Sequence, residues 1–344
     1  MRLLPLVLVV LAAALALPAG ALGHGGQTGG TDYRSSITAI PAGLEARMVG
    51  GDDRLELTRT TASEIVVLGY GGEPYLRLDA EGTWENRNSP AVALNDVRRT
   101  AEPVPTSATK IAPDWVHTGT GDSVVFHDHR AHWMASQPPV KVRADPSQEQ
   151  LLYAWTVPLV VDGTPAELRG DVTWLGTPVT WLWWLLAALA VVVGAAVGSL
   201  RRLPLAPTAI AGTLAAVLTA LATGLSQQLD VPDGTSGALT AIAISAALLA
   251  IGLGLGHRLR AVPAHATTVL LLVALIAGGV QLVGVAATAF DYALVPGPLP
   301  TLLLRVLVLI GLAGAAVTAG ACLRAWRTLL RGLPQQPKAA QPSW

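Results

Sequence analysis

One cysteine, two phenylalanines and five tyrosines among 344 residues leave little from which to build covalent staples or an aromatic core. Because Cys322 stands alone, no disulfide can form within the chain, and any folded part in an oxidising compartment must be held by its own packing. Charged residues are only 13% of the chain, with basic and acidic side chains equal at 23 each. No net field recruits nucleic acid, so polyanion binding is excluded as an organising function. Methionine is also scarce, with three in all, which argues against a methionine-rich Cu(I) shuttle. HExxH, GxSxG and paired catalytic cysteines are all missing, and the chain is read as a non-enzyme.

What is abundant is apolar sequence, 51% of the chain. The uncharged stretch from Trp181 to Leu200, WLWWLLAALAVVVGAAVGSL, is long enough at 1.5 Å per residue to cover a bilayer core of roughly 30 Å. Trp181, Trp183 and Trp184 mark its start and Arg201 with Arg202 its end, so the arginines are expected in the cytoplasm and everything before Trp181 outside. Four further spans are predicted at 206–225, 238–255, 266–290 and 301–323. Arg258 and Arg260 fall in one short loop, and Arg324, Arg327, Arg331 and Lys338 follow the last span, whereas the loops on the other side carry only acids. Five crossings, 178–323, with the carboxyl terminus inside satisfy this bias. Gly194 with Gly198, and Gly252 with Gly256, are spaced for close helix packing. Few ionisable groups lie at depth, which argues against a conducting pathway. Arg305 is the exception, able to snorkel outward or to pair with Asp291 or Asp230.

The amino terminus, 1–23, has the charged start, apolar middle and small-residue end of a secretory signal peptide. Cleavage after Gly23 would place His24 at the new terminus; cleavage after Ala21 would place it third. Either arrangement can chelate Cu(II), and the alternative is a lone histidine in a flexible tail, 24–32. Residues 33–177, about 145 in number, are enough for one domain with a real core. LEARMV, RLELT, EIVVLGY, YLRLD, VKVRA and AELRGDVTW alternate apolar with polar residues, and glycine-rich turns separate them. That pattern predicts an all-β, Ig-like antiparallel sandwich outside the membrane, followed by an α-helical bundle of five transmembrane helices. GYGGEP reads as a hairpin turn and not as a phosphate loop.

GDSVVFHDHRAHWM holds three of the seven histidines. If the strand continues through SVVFHDH, His127 and His129 share one face, while Asp128 and Arg130 share the other. A bend after Arg130 would bring His132 to them; Met134 could add a sulfur, and His117 in DWVHTG is a further candidate ligand. Imidazoles without thiolates suit Cu(II) or Zn(II), with Asp128 able to orient a ligating ring. The same residues could instead form a structural network, Asp128 paired with Arg130 or Arg130 stacked on Trp133.

The blocks GYGGEPYLRL, ENRNSPAVALND, HDHRAHWM and WTVPLVVDG resemble an uncharacterised family of actinobacterial membrane proteins with an extracytoplasmic sandwich domain. The layout is also similar to copper-handling membrane proteins. The resemblance implies a multi-pass protein of the cell membrane with its N-terminal domain outside. Two functions follow as expectations. The first is an anchored metal-binding module, copper foremost, that hands metal to a delivery partner; the second is a non-catalytic scaffold contacting another envelope protein. The tail, 324–344, begins basic and able to rest on anionic lipid, and ends rich in proline and glutamine.

Overall fold

The computed structural model describes residues 30–96, 111–135, 137–230 and 282–331. The signal sequence, His24, the span at 238–255, most of that at 266–290 and the tail beyond Arg331 lie outside the described residues.

The N-terminal part is antiparallel β structure. Its strands are β1 (Tyr33–Ala39), β2 (Leu44–Val49), β3 (Arg54–Arg59), β4 (Ile65–Leu68), β5 (Pro74–Asp79), β6 (Gly82–Asn86), β7 (Trp115–Gly119), β8 (Ser123–Phe126), β9 (Gln150–Val161) and β10 (Thr164–Trp174). A short helix, α1 (Pro90–Asp96), follows β6, and another, α2 (Val140–Ala144), precedes β9. Seven strands form one sheet in the order β1-β10-β9-β4-β5-β6-β7, and β2-β3-β8 form a second. Leu55, Leu57 and Phe126 from the small sheet share one core with Ile65, Val67, Leu78, Val157, Leu159, Leu168 and Val172 from the large one. Each such side chain contributes roughly 1.5–3 kcal/mol through burial, so this shared face is what joins the layers. The arrangement is sandwich-like, and its seven-and-three division differs from the four-and-three division of an immunoglobulin constant domain.

Turn chemistry sets the register. β9 and β10 are joined by Asp162 (φ 48°) and Gly163 (φ 76°), the two left-handed residues a tight hairpin needs. The GYGGEP segment turns between β4 and β5 as expected, with Gly72 at φ 80°. VKVRA, expected as a strand, is the helix α2. Pro138 and Pro139 precede it, and Val142 is fully buried while Val140 is 73% exposed, which a strand with both on one face would not allow.

Among the described residues, three helices are long and apolar enough to cross a membrane: α3 (Thr180–Ser199), the stretch Pro207–Ser226 within α4 (Leu205–Asp230), and Thr301–Ala325 within α6 (Thr301–Arg331). These coincide with the expected first, second and fifth spans, so three of the five expected spans are helices of crossing length and apolarity among the described residues. A shorter apolar helix, α5 (Leu282–Asp291), precedes α6. α6 packs between α3 and α4 through small residues: a methyl group on Gly194 or Gly198 would overlap the carbonyl oxygens of Ala313 or Val317. Arg305 meets neither Asp291 nor Asp230, although its charge acts on Asp32. Its Nε donates to the Ala289 carbonyl at 2.7 Å and its Nη2 to that of Tyr292 at 2.8 Å, and its guanidinium lies 5.2 Å from the Trp183 ring centroid. It closes the end of α5, where carbonyls lack helical partners.

The β structure sits directly on one end of these helices. Thr31 and Leu294 exchange both backbone hydrogen bonds at 2.9 Å, and the Ala293 amide donates to Asp32 Oδ1 at 2.8 Å. The Gly50 amide donates to Asp230 Oδ2 at 2.9 Å. Five residues link β10 to α3, and the Thr177 amide ties them back to the Pro146 carbonyl at 2.9 Å.

Candidate metal centre

β8 pairs with β3 only as far as Phe126, opposite Leu55. The strand does not run on through the histidines as alternation predicts. Asp128 ends it by capping a single turn of 3-10 helix, His129–Ala131, its Oδ1 accepting the Arg130 amide at 3.0 Å. The turn replaces the expected bend and brings His127, His129 and His132 together by a different route.

Three imidazoles result at close quarters. Ring centroids lie 4.4 Å apart for His127 and His132, 5.1 Å for His127 and His129, and 5.6 Å for His129 and His132. One nitrogen from each ring lies within 4.8 Å of the other two. His127 Nδ1 donates to the Asp53 carbonyl at 2.5 Å and His132 Nδ1 to the Trp133 carbonyl at 3.2 Å. A carbonyl accepts only, so Nδ1 holds a proton in both rings, and in the neutral form of each Nε2 carries the lone pair. Metal-binding histidines are commonly oriented by this kind of bond. His132 is 1% exposed, whereas His129 is half-buried, so the group spans the boundary between core and solvent.

A polar cage holds the turn. Arg130 Nε and Nη2 meet both oxygens of Asp128, at 2.8 and 2.6 Å, and Nη2 also reaches the Leu68 carbonyl at 3.0 Å. The guanidinium lies 4.8 Å from the Tyr70 ring centroid. The Tyr70 hydroxyl accepts the His129 amide at 2.9 Å and donates to Asn95. Burial, with the charge of Asp128 added, pushes this hydroxyl well above its usual range. The Tyr153 hydroxyl donates to the His132 carbonyl at 2.6 Å and is likewise pushed up, by burial first and then by the charge of Asp52. Asp52 is itself 2% exposed. Of the two structural alternatives it is the Asp128–Arg130 pair that forms, while Trp133 stacks on Tyr33 at 6.3 Å between centroids.

Of the other expected ligands, His117 is elsewhere. It lies on β7 in the large sheet, its Nε2 donating to the Glu81 carbonyl at 3.0 Å and its ring edge-on to Trp84. Met134 is half-buried two residues beyond His132. Sequence reasoning missed Tyr70, Tyr153 and the Asp53 carbonyl. Tyr70 was in view only as part of a turn, and a backbone carbonyl leaves no mark in the residue pattern. Three imidazole nitrogens at this spacing are a donor set suited to Zn(II) or Cu(II). Comparison with protein-family models, with curated proteins and with solved structures finds no match for this chain.

Proposed function

We propose that the chain is a membrane-anchored metal-binding protein whose outer β domain takes up one divalent transition-metal ion, copper foremost, through His127, His129 and His132. The observation that carries this reading is the convergence of three imidazole nitrogens within 4.8 Å, two of them on rings oriented by backbone carbonyls. In this reading 1–23 is removed on secretion, the sandwich-like domain is extracytoplasmic, and five helices in the cell membrane leave the carboxyl terminus in the cytoplasm. The bundle anchors, and the metal passes to a delivery partner. The test is titration of the purified full chain in detergent with Zn(II) and Cu(II), followed by calorimetry, with His127→Ala/His129→Ala/His132→Ala as control. One ion per wild-type chain and none in the variant is expected; no stoichiometric binding to wild type would end the proposal.

The Asp128–Arg130–Tyr70 network favours a second reading, a non-catalytic envelope scaffold, since these groups satisfy one another without any ion. Site-specific crosslinking from Trp133 to another envelope protein, unchanged by chelators, would support it.

A further inference from the structure

The histidine group and the helical bundle touch the same four residues. Gly50, Gly51, Asp52 and Asp53 turn β2 into β3. On one side of this turn the Asp53 carbonyl fixes the His127 ring, and the charge of buried Asp52 reaches the Tyr153 hydroxyl that holds the His132 carbonyl. On the other side the Gly50 amide donates to Asp230 at the last residue of α4, and Gly51 lies against Leu294 and Thr31. A methyl group on Gly51 would come within 3.0 Å of Leu294 Cδ2 and 3.2 Å of Thr31 Cγ2, and its φ of 80° already favours glycine. The turn is closed internally by the Asp52 amide on the Gly50 carbonyl at 3.0 Å. Such a short, internally bonded turn transmits a displacement at Gly50 to Asp53 with little slack.

Asp230 is itself held. Its side chain is 16% exposed, and Arg47 Nη1 stands 3.6 Å from Oδ1 while Arg47 Nε is engaged by Glu56 at 2.5 Å. A carboxylate thus reaches from the bundle, 180 residues away in sequence, to one backbone amide beside the histidines.

The geometry points to Asp230 as a positioning residue for the metal centre: by holding the Gly50 amide it sets the 50–53 turn, and through the Asp53 carbonyl the ring of His127. This rests on the metal-binding reading above. Metal affinity then depends on how the β domain is seated on the helices, and by linkage a bound ion tightens that seating by the same factor.

The experiment uses the full chain in detergent, with Zn(II) affinity from competition against a chromophoric chelator and ligand geometry from the visible bands of bound Co(II). Asp230→Ala is expected to weaken Zn(II) about tenfold, in the lower range for a residue that orients a ligand, and to alter the Co(II) bands. Asp230→Asn, which keeps an oxygen for the Gly50 amide, is expected to stay within about threefold of wild type by the same reasoning. Should Asp230→Ala fail to fold, Leu294→Ala loosens the same turn from the bundle side and is expected to weaken Zn(II) in the same direction. Wild-type affinity and bands in the folded variant, with binding lost in His127→Ala, would overturn the role of Asp230 and leave the metal site standing. No uptake by wild type would overturn both.

Discussion

Asp128 and Arg130, two residues apart, face each other across one turn of 3-10 helix and bond through both carboxylate oxygens, at 2.6 and 2.8 Å. The Asp128 side chain is fully buried and that of Arg130 is 19% exposed. Removing one partner of such a pair leaves an uncompensated buried charge, which costs about 3 kcal/mol or more. Asp128→Ala is therefore expected to loosen residues 127–132 and to lose the histidine grouping with them. Hydrogen-exchange mass spectrometry of the full chain would show the amides of Arg130 and Ala131 exchanging faster. Unchanged protection there would mean that the pair does not hold the turn.

Gly170 is a second point of strict geometry. A methyl group on it would overlap the Trp155 ring and the Ser36 carbonyl. Trp155 is 4% exposed and donates from Nε1 to Ser35 Oγ at 3.0 Å, so the ring has nowhere to go. Gly170→Ala is expected to destabilise the β domain by about 3 kcal/mol, the upper end of overpacking. Gly163→Ala meets nothing within 4 Å and carries only the left-handed backbone cost of about 1 kcal/mol. Tryptophan fluorescence against urea should separate the two variants clearly; equal midpoints would contradict this packing.

Much of this architecture could be read from pattern, and the misses have identifiable causes. LEARMV and RLELT form β2 and β3 because one face of each is buried, with Leu55 and Leu57 at 0% exposure. VKVRA alternates equally well, but five residues cannot distinguish a strand from a turn of helix, and the two prolines before it decided the outcome. The three histidines were identified correctly as a group although the strand meant to align them ends at Phe126. Asp128 reads in sequence as one more alternating residue, yet its side chain caps the backbone, a local bond that period-two reasoning does not register. His117 was attractive only for its chemistry; Trp84 and the Glu81 carbonyl occupy it in the large sheet. The role of Asp230 depends on contact across 180 residues and has no sequence signal.

Asp32 gives a pH-dependent outcome at the junction with the helices. Burial raises its pKa, against the opposing effects of the Ala293 amide and the Arg305 charge. A carboxyl whose folded pKa lies above its unfolded value contributes stability below the ordinary carboxylate range and loses it as pH rises through the raised value. Asp32→Asn keeps an oxygen for the Ala293 amide and removes the charge that burial disfavours. Its melting temperature in detergent is expected to gain on wild type as pH is raised from about 4 to about 8, across and above the usual carboxylate range. Parallel pH profiles for the two proteins would show that Asp32 does not titrate differently on folding.

The seam between α3 and α6 leads to the last prediction, because it separates what the glycines do from what hydrophobicity does. Gly198 is buried against the Val317 carbonyl, and the adjacent turn is closed by Gly320, whose missing side chain admits the Ala195 carbonyl. α3 carries no charge and the stretch of α6 facing it, from Ala313 to Ala321, is also uncharged, so lipid would solvate these surfaces well apart; close backbone contact is what distinguishes the packed state. Gly198→Val forces the axes apart and is expected to cost about 2 kcal/mol, seen as a lower melting temperature by size-exclusion chromatography in detergent. Ala196 is exposed on the same helix, and Ala196→Leu adds the same three carbons without touching the seam. It is expected to leave the melting temperature where it is. If both substitutions lower it alike, bulk in the span and not approach at the seam governs the bundle.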